Sequence, residues 1–473
     1  MLFRRLYNDR LAQASYLIAC QASKQAIVVD PLRDPALYLD VARQEGVRIS
    51  HVTETHVHAD FLSGAAALAS AAGAELLLSG EGSDGLVYDR DHLDATRWLR
   101  DGDRIAIGGV RLDVVHVPGH TPEHLAFVVT DAATGDAPMG LLSGDFIFVG
   151  DVGRPDLLER AAGIQGTMET SARQLFASLA RTAALPDFMQ LWPGHGAGSA
   201  CGKALGAVPQ STLGYERRTN WAFRVGDESE FVAQVLAGQP EPPAYFARMK
   251  RRNATEAAAA PRYERATDAN LRRAIEHAAL VVDVRPSADF SRGHLPGALN
   301  VPLGKSFLTW AGSVLPDDRG VVLLAAPADR ASAEHAAREL ALIGIDRVLG
   351  VLAPERLPDL SAAPLSTLPS VDAATLGASA PSGRILLDVR NRSEWDEGHI
   401  PGARLVPLAE LTVRLDELRG EGAIAVHCQG GSRSAVAASV LQAAGFADVV
   451  NVDGGYAAWL RAGHRPTRSA DSM

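Results

Sequence analysis

The chain has 473 residues, of which 47% are hydrophobic and 22% charged, as in ordinary globular proteins. A formal net charge of −10 argues against nucleic acid or an anionic membrane surface as the main partner. The cysteines Cys20, Cys201 and Cys428 are too widely spaced for a secreted disulfide framework, and the N-terminus lacks an apolar signal-peptide core. We therefore expect a cytoplasmic protein, with about two to four domains for a chain of this length.

The first 225 residues alternate short β-branched runs with helical runs, the pattern of a layered α/β domain. Proline near the start of one helical run and glycine after another mark predicted helix ends. The predicted elements are strands at Tyr16–Ala19 and Ala26–Asp30, a helix over Asp34–Glu45, a strand at Arg48–Glu54, a helix over Ser63–Ala72, strands at Arg111–His116, Leu125–Thr130 and Gly140–Ser143, a helix over Glu169–Ala180 and a strand at Met189–Trp192.

Two connectors and an internal duplication organise the remainder of the chain. Residues 226–262 lose strand character and become charged and rich in Ala and Pro, and residues 357–382 are rich in Pro, Ala and Ser. Val281–Arg285 recurs as Leu386–Arg390, and a Gly-His-(Leu/Ile)-Pro-Gly-Ala motif follows each copy at the same spacing. The chain is therefore predicted to divide into 1–225, a connector at 226–262, one repeat at 263–356, a connector at 357–382 and a second repeat at 383–466.

Histidine and aspartate residues cluster in four short motifs of the first domain. Two histidines and an aspartate alternate directly after the strand Arg48–Glu54, so their side chains can face one point. In the other three motifs a His or Asp follows a glycine after a predicted strand. A lone His is usually a hydrogen-bonded core residue, but four such motifs indicate a metal site. The candidate ligands are His56, His58, Asp60, His120, Asp145 and His195.

This set resembles the metallo-β-lactamase superfamily, whose pattern is His-x-His-x-Asp-His followed by a third His, a bridging Asp and a last His. The chain departs from that pattern at Phe61, where binuclear zinc hydrolases of the superfamily have a metal-binding His. A second metal would be left with Asp60, His195 and the shared Asp145, which is a weak site. The resemblance therefore implies a mononuclear centre.

The chain resembles the persulfide dioxygenase branch of the superfamily, in which Gly-Arg-x-Asp follows the bridging Asp as Gly153-Arg154-Pro155-Asp156 does here. That resemblance implies one Fe(II) per chain on His56, His120 and Asp145, a two-His-one-carboxylate set suited to non-haem iron. We further expect Arg154 to position the anionic end of the substrate. His58, Asp60 and His195 are then either ligands or partners of ligands. A mononuclear zinc thioester hydrolase, similar to hydroxyacylglutathione hydrolases, remains the alternative.

The second repeat contains a glycine-rich cysteine loop. The strand Ala423–His427 is followed by Cys428 and, five residues later, Arg433, with a helix predicted from about Ala435. Backbone N–H groups, the helix N-terminus and Arg433 would stabilise a thiolate and an anion bound to it. Phosphatase loops are the rival interpretation, but they have one more residue between Cys and Arg. The residues predicted to cradle a persulfide are Gln429, Gly430, Gly431 and Ser432.

With its flanking motifs, this repeat resembles a rhodanese, which implies sulfur transfer through a persulfide on Cys428. Asp388, Arg390 and His399 are expected to hold the fold. The first repeat has Ala325 opposite Cys428, so it cannot transfer sulfur in this way, and we expect it to serve as a spacer, a docking surface or an oligomer interface. In the first domain, Cys201 follows His195 closely; it is either a sulfur relay at the metal pocket or a plain buried thiol.

The domain order resembles the multidomain persulfide dioxygenase–rhodanese fusions. This resemblance implies an α/β fold class: a metallo-β-lactamase αββα sandwich followed by two rhodanese-like domains with central parallel sheets. It implies oxidation by O2 of low-molecular-weight persulfides, such as those of glutathione or coenzyme A, to sulfite, and then transfer through Cys428 to give thiosulfate. The repeats make a homo-oligomer an expectation. A carrier protein with a vestigial metal domain, and a rhodanese running in reverse, remain open.

Overall fold

The computed structural model describes residues 1–82, 87–91, 93, 97–161, 163–261, 266–356, 364–377, 383–420 and 422–468. The chain forms two compact units, Met1–Pro261 and Arg262–Met473. Among the described residues, no helix is both long enough and apolar enough to cross a membrane.

Two six-stranded sheets form the centre of the first unit. Their strands are β1 (Leu2–Asn8), β2 (Gln13–Ala19), β3 (Gln25–Val29), β4 (Arg48–Thr53), β5 (Glu75–Ser79), β6 (Arg97–Leu99), β7 (Arg104–Ile107), β8 (Val110–His116), β9 (Leu125–Asp131), β10 (Gly140–Gly144), β11 (Gln190–Pro193) and β12 (Ser211–Thr212). The first sheet has the order β1-β2-β3-β4-β5-β6 and is parallel from β3 onward. The second has the order β12-β11-β10-β9-β8-β7, with β10 and β11 as its parallel pair.

Helices cover the outer faces of both sheets. They are α1 (Pro35–Gln44), α2 (Ala65–Ala72), α3 (Leu157–Arg160), α4 (Met168–Arg181), α5 (Leu213–Thr219), α6 (Glu228–Leu236) and α7 (Phe246–Thr255). Helices α1 and α2 contact β4, whereas Leu175 of α4 and Phe231 of α6 pack on the second sheet. Buried side chains of both sheets, including Tyr16, Phe127 and Trp192, form the core between them. This is the αββα sandwich that the resemblance implies.

The helix predicted from Ser63 begins instead at Ala65, whose backbone N–H donates to Ser63 Oγ at 3.0 Å. It ends before Gly73, as predicted, because that glycine adopts the left-handed conformation with φ of 62°.

The segment 226–262 differs from its prediction as a connector, since its described part belongs to the first unit. It forms α6 and α7 and buries Phe231, Phe246 and Met249. Its composition is charged because α7 is amphipathic, with partly or fully exposed arginines beside a buried face. The predicted boundary at residues 262 and 263 lies outside the described residues.

The second unit contains two wholly parallel sheets, one for each repeat. The first has the order β14-β13-β15-β16 and the second β17-β21-β20-β18-β19. The strands are β13 (Leu280–Asp283), β14 (Leu299–Asn300), β15 (Val321–Leu324), β16 (Val348–Leu352), β17 (Ser370–Asp372), β18 (Arg384–Asp388), β19 (Arg404–Leu405), β20 (Ala423–His427) and β21 (Val449–Asp453). The helices are α8 (Asp268–Glu276), α9 (Ser287–Arg292), α10 (Phe307–Val314), α11 (Arg330–Leu340), α12 (Arg392–Glu397), α13 (Leu408–Leu411), α14 (Ser432–Ala443) and α15 (Gly455–Arg461).

The described part of the second predicted connector, 357–382, pairs with both repeats. Ser366 forms a β-bridge with His294 of the first repeat, just as Thr467 does with His399 of the second. The strand β17 then joins the second sheet beside β21. Residues 357–363 and 378–382 of this connector lie outside the described residues.

Candidate metal centre and cysteine site

The six candidate metal ligands of the first unit meet where four strands end. Two histidines and an aspartate follow β4 of the first sheet, and the other three ligands follow β8, β10 and β11 of the second. These three strands run in the same direction, so their carboxyl ends lie at one edge of the sandwich. All six residues are buried, none being more than 4% exposed. The residues brought together are His56, His58, Asp60, His120, Asp145 and His195.

His56, His120 and Asp145 form one compact group, with one ligand atom of each within 4.8 Å of the others. Asp145 Oδ2 lies 3.9 Å from His56 Nε2 and 3.6 Å from His120 Nε2. His120 Nδ1 donates to the Arg154 carbonyl oxygen at 3.0 Å, which leaves its Nε2 lone pair facing the group.

Asp30 orients the first two histidines through its carboxylate. Thr55 Oγ1 donates to Asp30 Oδ2 at 3.0 Å, so it accepts from His56 Nδ1 at 2.9 Å. His58 Nε2 donates to Asp30 Oδ1 at 3.2 Å. Both rings therefore present their other nitrogen away from Asp30, the arrangement by which carboxylates fix histidine ligands. Sequence analysis did not identify Asp30, because nothing in its local motif distinguishes it.

His124 is a further buried partner of the centre. Its Nε2 accepts the backbone N–H of Asp145 at 3.0 Å, and its ring stacks on that of His56 with centroids 4.8 Å apart. Both contacts fix the positions of candidate ligands.

Several buried ligand atoms have no hydrogen-bond partner among the described residues. They are both carboxylate oxygens of Asp60 and of Asp145, His58 Nδ1 and His195 Nε2. Buried polar atoms nearly always have a partner, so this concentration of lone pairs fits a bound cation. Burial raises the pKa of Asp60 and of Asp145 to about 6 and lowers the pKa of His56 and His120 well below the usual value. These donors suit Fe(II) or Zn²⁺.

A second group, Asp60, His195 and Cys201, lies directly beside the first. His195 Nε2 is 3.4 Å from Asp60 Oδ2 and 3.4 Å from Asp145 Oδ2. Burial, followed by the nearby carboxylates of Asp145 and Asp60, raises the pKa of the Cys201 thiol well above its usual value. Phe61 is fully buried, with its ring centroid 4.5 Å from that of His58.

Gly153, beside the candidate ligands, is explained by the close approach of the Asp145 backbone. A Cβ on Gly153 would lie 1.8 Å from the Asp145 carbonyl oxygen, so any side chain there would displace the Asp145 loop. The motif Gly153-Arg154 therefore has a packing role at the metal centre.

Arg154 is used differently from its prediction as a substrate-binding residue. Its guanidinium is fully buried, pairs through two nitrogens with Asp156 at 2.7 Å each, and donates to the carbonyl oxygens of Ala200 and Pro240. These partners take up its donors within the protein, and its own carbonyl oxygen holds His120. In this structure Arg154 links three loops around the metal centre.

We expect Arg154→Met to lower the free energy of unfolding by about 3–5 kcal/mol, because it leaves the Asp156 carboxylate buried without its main partner. Denaturant unfolding of the purified chain measures this change. A raised KM at unaltered stability would contradict it and restore the predicted substrate contact.

Helix α7, from the predicted connector, anchors the loop that carries His56, His58 and Asp60. Asn253 Nδ2 donates to the carbonyl oxygens of His58 at 2.8 Å and Phe61 at 2.7 Å, and its Oδ1 accepts from Ser63 N at 2.9 Å. Lys250 Nζ donates to the Val57 carbonyl oxygen at 3.2 Å, while Val57 N donates to Glu123 Oε1 at 2.8 Å. The peptide between the two histidines is therefore held by a buried cation and a buried carboxylate.

We expect Asn253→Ala to weaken metal binding by about 10- to 100-fold, since partners of this kind set ligand orientation. Competition with a chromophoric chelator measures the metal dissociation constant. Arg251→Ala, at an exposed position of the same helix, is the matched control. Equal metal affinity in Asn253→Ala and the control would contradict this role.

The candidate nucleophile Cys428 lies at the base of its loop, directly after β20. It is 2% exposed, and Gly431 N donates to its Sγ at 3.1 Å. Helix α14 begins at Ser432, earlier than predicted, so the helix N-terminus is part of the loop itself. A Cβ on Gly455 would lie 2.3 Å from the Cys428 carbonyl oxygen, which explains the glycine at the first position of α15. Gln429, Gly430 and Ser432 are exposed.

Arg433 has a partner that sequence analysis did not indicate. Its two terminal nitrogens donate to both carboxylate oxygens of Glu394 at 2.8 and 2.9 Å. Glu394 Oε2 accepts from Asn391 N at 2.9 Å in a capping box at the start of α12. Arg433 is therefore tied to the neighbouring helix rather than free at the loop.

The strand pairings of the two repeats show that Ala325 and Cys428 occupy corresponding positions. Asp388 is opposite His427 and Asp283 is opposite Leu324, so Ala325 follows its strand as Cys428 follows β20. In the second repeat Arg390 pairs with buried Asp388 at 2.7 Å. In both repeats the histidine of the Gly-His motif stacks on an aromatic ring at about 3.6–3.7 Å between centroids. These contacts support the predicted structural roles of Asp388, Arg390 and His399.

Comparisons with known protein families match three separate segments of the chain. Residues 8–195 match the model of the metallo-beta-lactamase superfamily, and residues 267–352 and 372–462 each match the rhodanese-like domain. A crystal structure of a metallo-beta-lactamase from Staphylococcus aureus subsp. aureus COL is 41% identical, with a TM-score of 0.66 over 75% of this chain and 99% of that one.

Two enzyme classes are represented among curated relatives. A hydroxyacylglutathione hydrolase of Rhodospirillum rubrum is 31% identical over 38% of this chain and 60% of its own length. The mitochondrial persulfide dioxygenase ETHE1 of Bos taurus is 30% identical over 29% of this chain and 52% of its own length. The chain thus spans only about half to two thirds of these relatives. On these matches, and on the 41% identity above, the chain belongs to the metallo-β-lactamase superfamily and continues into two rhodanese-like domains.

Proposed function

We propose that the chain is an iron-dependent persulfide dioxygenase coupled to a rhodanese. The observation that carries the proposal is the buried His56, His120 and Asp145 triad in a chain that also has the Cys428 loop. Because the Cys428 loop is proposed to transfer sulfur, a sulfur compound is the substrate class that fits the metal centre of the same chain. Phe61 stands where binuclear zinc hydrolases have one more metal ligand. The substrates proposed are O2 and the persulfide of a small thiol such as glutathione or coenzyme A.

The first reaction is RSSH + O2 + H2O → RSH + H2SO3, in which O2 is reduced and the outer sulfur is oxidised to the sulfite level. When bound, Fe(II) supplies the one-electron chemistry by which ground-state O2 reacts, and open positions beside its ligands. His56, His120 and Asp145 would hold it. Asp30 and the Arg154 carbonyl oxygen fix the two histidine tautomers, so neither ring competes for a proton at the centre.

Cys428 then exchanges sulfur with thiosulfate and sulfite. In one direction the Cys428 thiolate takes the outer sulfur of a second RSSH and releases RSH. The resulting Cys428 persulfide gives that sulfur to sulfite, which breaks the S–S bond and releases thiosulfate and the Cys428 thiolate. In the other, the thiolate takes that sulfur from thiosulfate and releases sulfite. Gly431 N–H stabilises negative charge on Sγ in both directions. Both activities in one polypeptide raise the local concentration of sulfite near Cys428.

A zinc thioester hydrolase with an appended rhodanese is the second candidate. The hydroxyacylglutathione hydrolases among the relatives favour it, as does the second group of Asp60, His195 and Cys201 beside the triad. In that function a metal-activated water would attack a thioester.

Oxygen uptake by the iron-loaded chain with glutathione persulfide, with sulfite and thiosulfate quantified in the same sample, tests the proposal. We expect rapid uptake and thiosulfate as a product. The zinc-loaded chain with a glutathione thioester is the parallel assay. No uptake with several persulfides, together with thioester hydrolysis by the zinc form, would reject the dioxygenase in favour of the hydrolase.

A further inference from the structure

The ion pair between Arg433 and Glu394 changes the charge of the Cys428 loop. In an anion-binding loop the guanidinium is the main positive charge that a bound oxyanion would meet. Here both of its terminal nitrogens are satisfied by one carboxylate, in the planar two-bond geometry that is strongest for Arg. An oxyanion that binds these same N–H groups of Arg433 must therefore compete with Glu394.

An oxyanion can compete for Arg433 because the ion pair between Arg433 and Glu394 is only partly buried. The side chains of Arg433 and Glu394 are 20% and 27% exposed, so water and ions reach both. A partly exposed ion pair of this kind is weak enough for a better anion to displace it. The other charged pair beneath the loop, Arg390 with Asp388, is fully buried and is therefore not available to an incoming anion.

We propose that Glu394 is a specificity-determining residue that screens Arg433 and so disfavours doubly charged oxyanions, such as thiosulfate and phosphate, relative to donors whose reacting end is a singly charged persulfide group. This inference rests on the proposed role of Cys428 as the sulfur acceptor. It specifies the charge of the reacting group that the loop accepts, which the loop sequence alone leaves open.

The Glu394→Gln variant distinguishes the screening of the Arg433 charge from the role of Glu394 in the capping box of α12. Gln can still accept the Asn391 N–H and so keep the capping box, while its amide cannot pair with Arg433 as a charged fork. Glu397→Gln removes an equal charge from an exposed position of the same helix and is the matched control. Thermal unfolding of both full-length variants checks that the fold is retained.

The experiment uses inorganic phosphate and thiosulfate as probes. Phosphate protection of Cys428 against iodoacetamide, followed by mass spectrometry of its peptide, reports binding at this loop. We expect the half-protecting phosphate concentration and the thiosulfate KM of Glu394→Gln to fall by about three- to fivefold, the range of a partly exposed ion pair. The effect should shrink as ionic strength rises.

Unchanged protection in Glu394→Gln, an equal shift in Glu397→Gln, or weaker protection in Glu394→Gln would each overturn the proposal. The first would mean that Arg433 does not meet the anion, the second that net charge alone acts, and the third that Glu394 orients Arg433. Failure of the proposed function is distinguishable, because a wild-type chain that forms no persulfide from any donor still reports phosphate protection.

Discussion

Replacing Cys428 with serine is expected to reduce sulfur transfer by about 10⁴- to 10⁶-fold, the range for loss of a nucleophile. The serine hydroxyl is far less acidic than a thiol and cannot form a persulfide, whereas the first unit retains all of its candidate ligands. Oxygen uptake with glutathione persulfide should therefore continue, with sulfite in place of thiosulfate. Anion-exchange chromatography of the products measures both.

Cys20→Ser is the control, because Cys20 is buried in the first unit, far in sequence from the loop. Persistent thiosulfate in Cys428→Ser would show that sulfite acquires its sulfur elsewhere, and Cys201 would then be the cysteine to replace next. Loss of oxygen uptake in Cys428→Ser would contradict two separable activities.

Replacing Asp145 with alanine is expected to abolish metal binding and oxygen uptake. Its Oδ2 lies within 4 Å of the Nε2 atoms of His56, His120 and His195, so it is the common neighbour of three of the four candidate histidine ligands. Two imidazoles without this carboxylate hold Fe(II) weakly. Metal content per chain, measured by plasma emission after anaerobic iron loading, should fall to near zero.

His195→Ala distinguishes a mononuclear centre from a binuclear one. If iron is held by His56, His120 and Asp145, this variant keeps one metal per chain. A wild-type content of two metals that falls to one in His195→Ala would show that the second group of Asp60, His195 and Cys201 also binds metal, and would contradict one iron per chain.

The parts of the centre that can be read from sequence are those with short, regular spacing. His56 and His58 alternate after a strand, and His120 and His195 each follow a glycine at a strand end. The residues that orient these ligands cannot be identified from spacing. Asp30 precedes His56 by 26 residues, and Asn253 follows it by 197, so only the folded chain brings them together. Nothing near Asn253 in sequence distinguishes it from the exposed residues of α7.

The two arginines show a different limit. Arg154 and Arg433 were both expected to meet substrate because each lies in a motif beside the chemistry. In the structure each pairs with a carboxylate, one fully buried and one partly exposed. Sequence predicts that an arginine is near a site, but whether its donors are free depends on long-range packing. Strands such as β1 and β6 were missed because they are short or only partly buried, and their pattern is weak.

Helix α7 also determines how much of the chain is needed to make a working metal centre. Every candidate ligand has been synthesised by residue 195, yet the backbone of the first ligand loop is fastened by side chains more than 50 residues later. A fragment ending at residue 225 would contain the complete ligand set without its anchor. During synthesis, a nascent chain of that length would offer its ligands to a metal in an unfastened loop, so metal loading should follow completion of the unit that ends at Pro261.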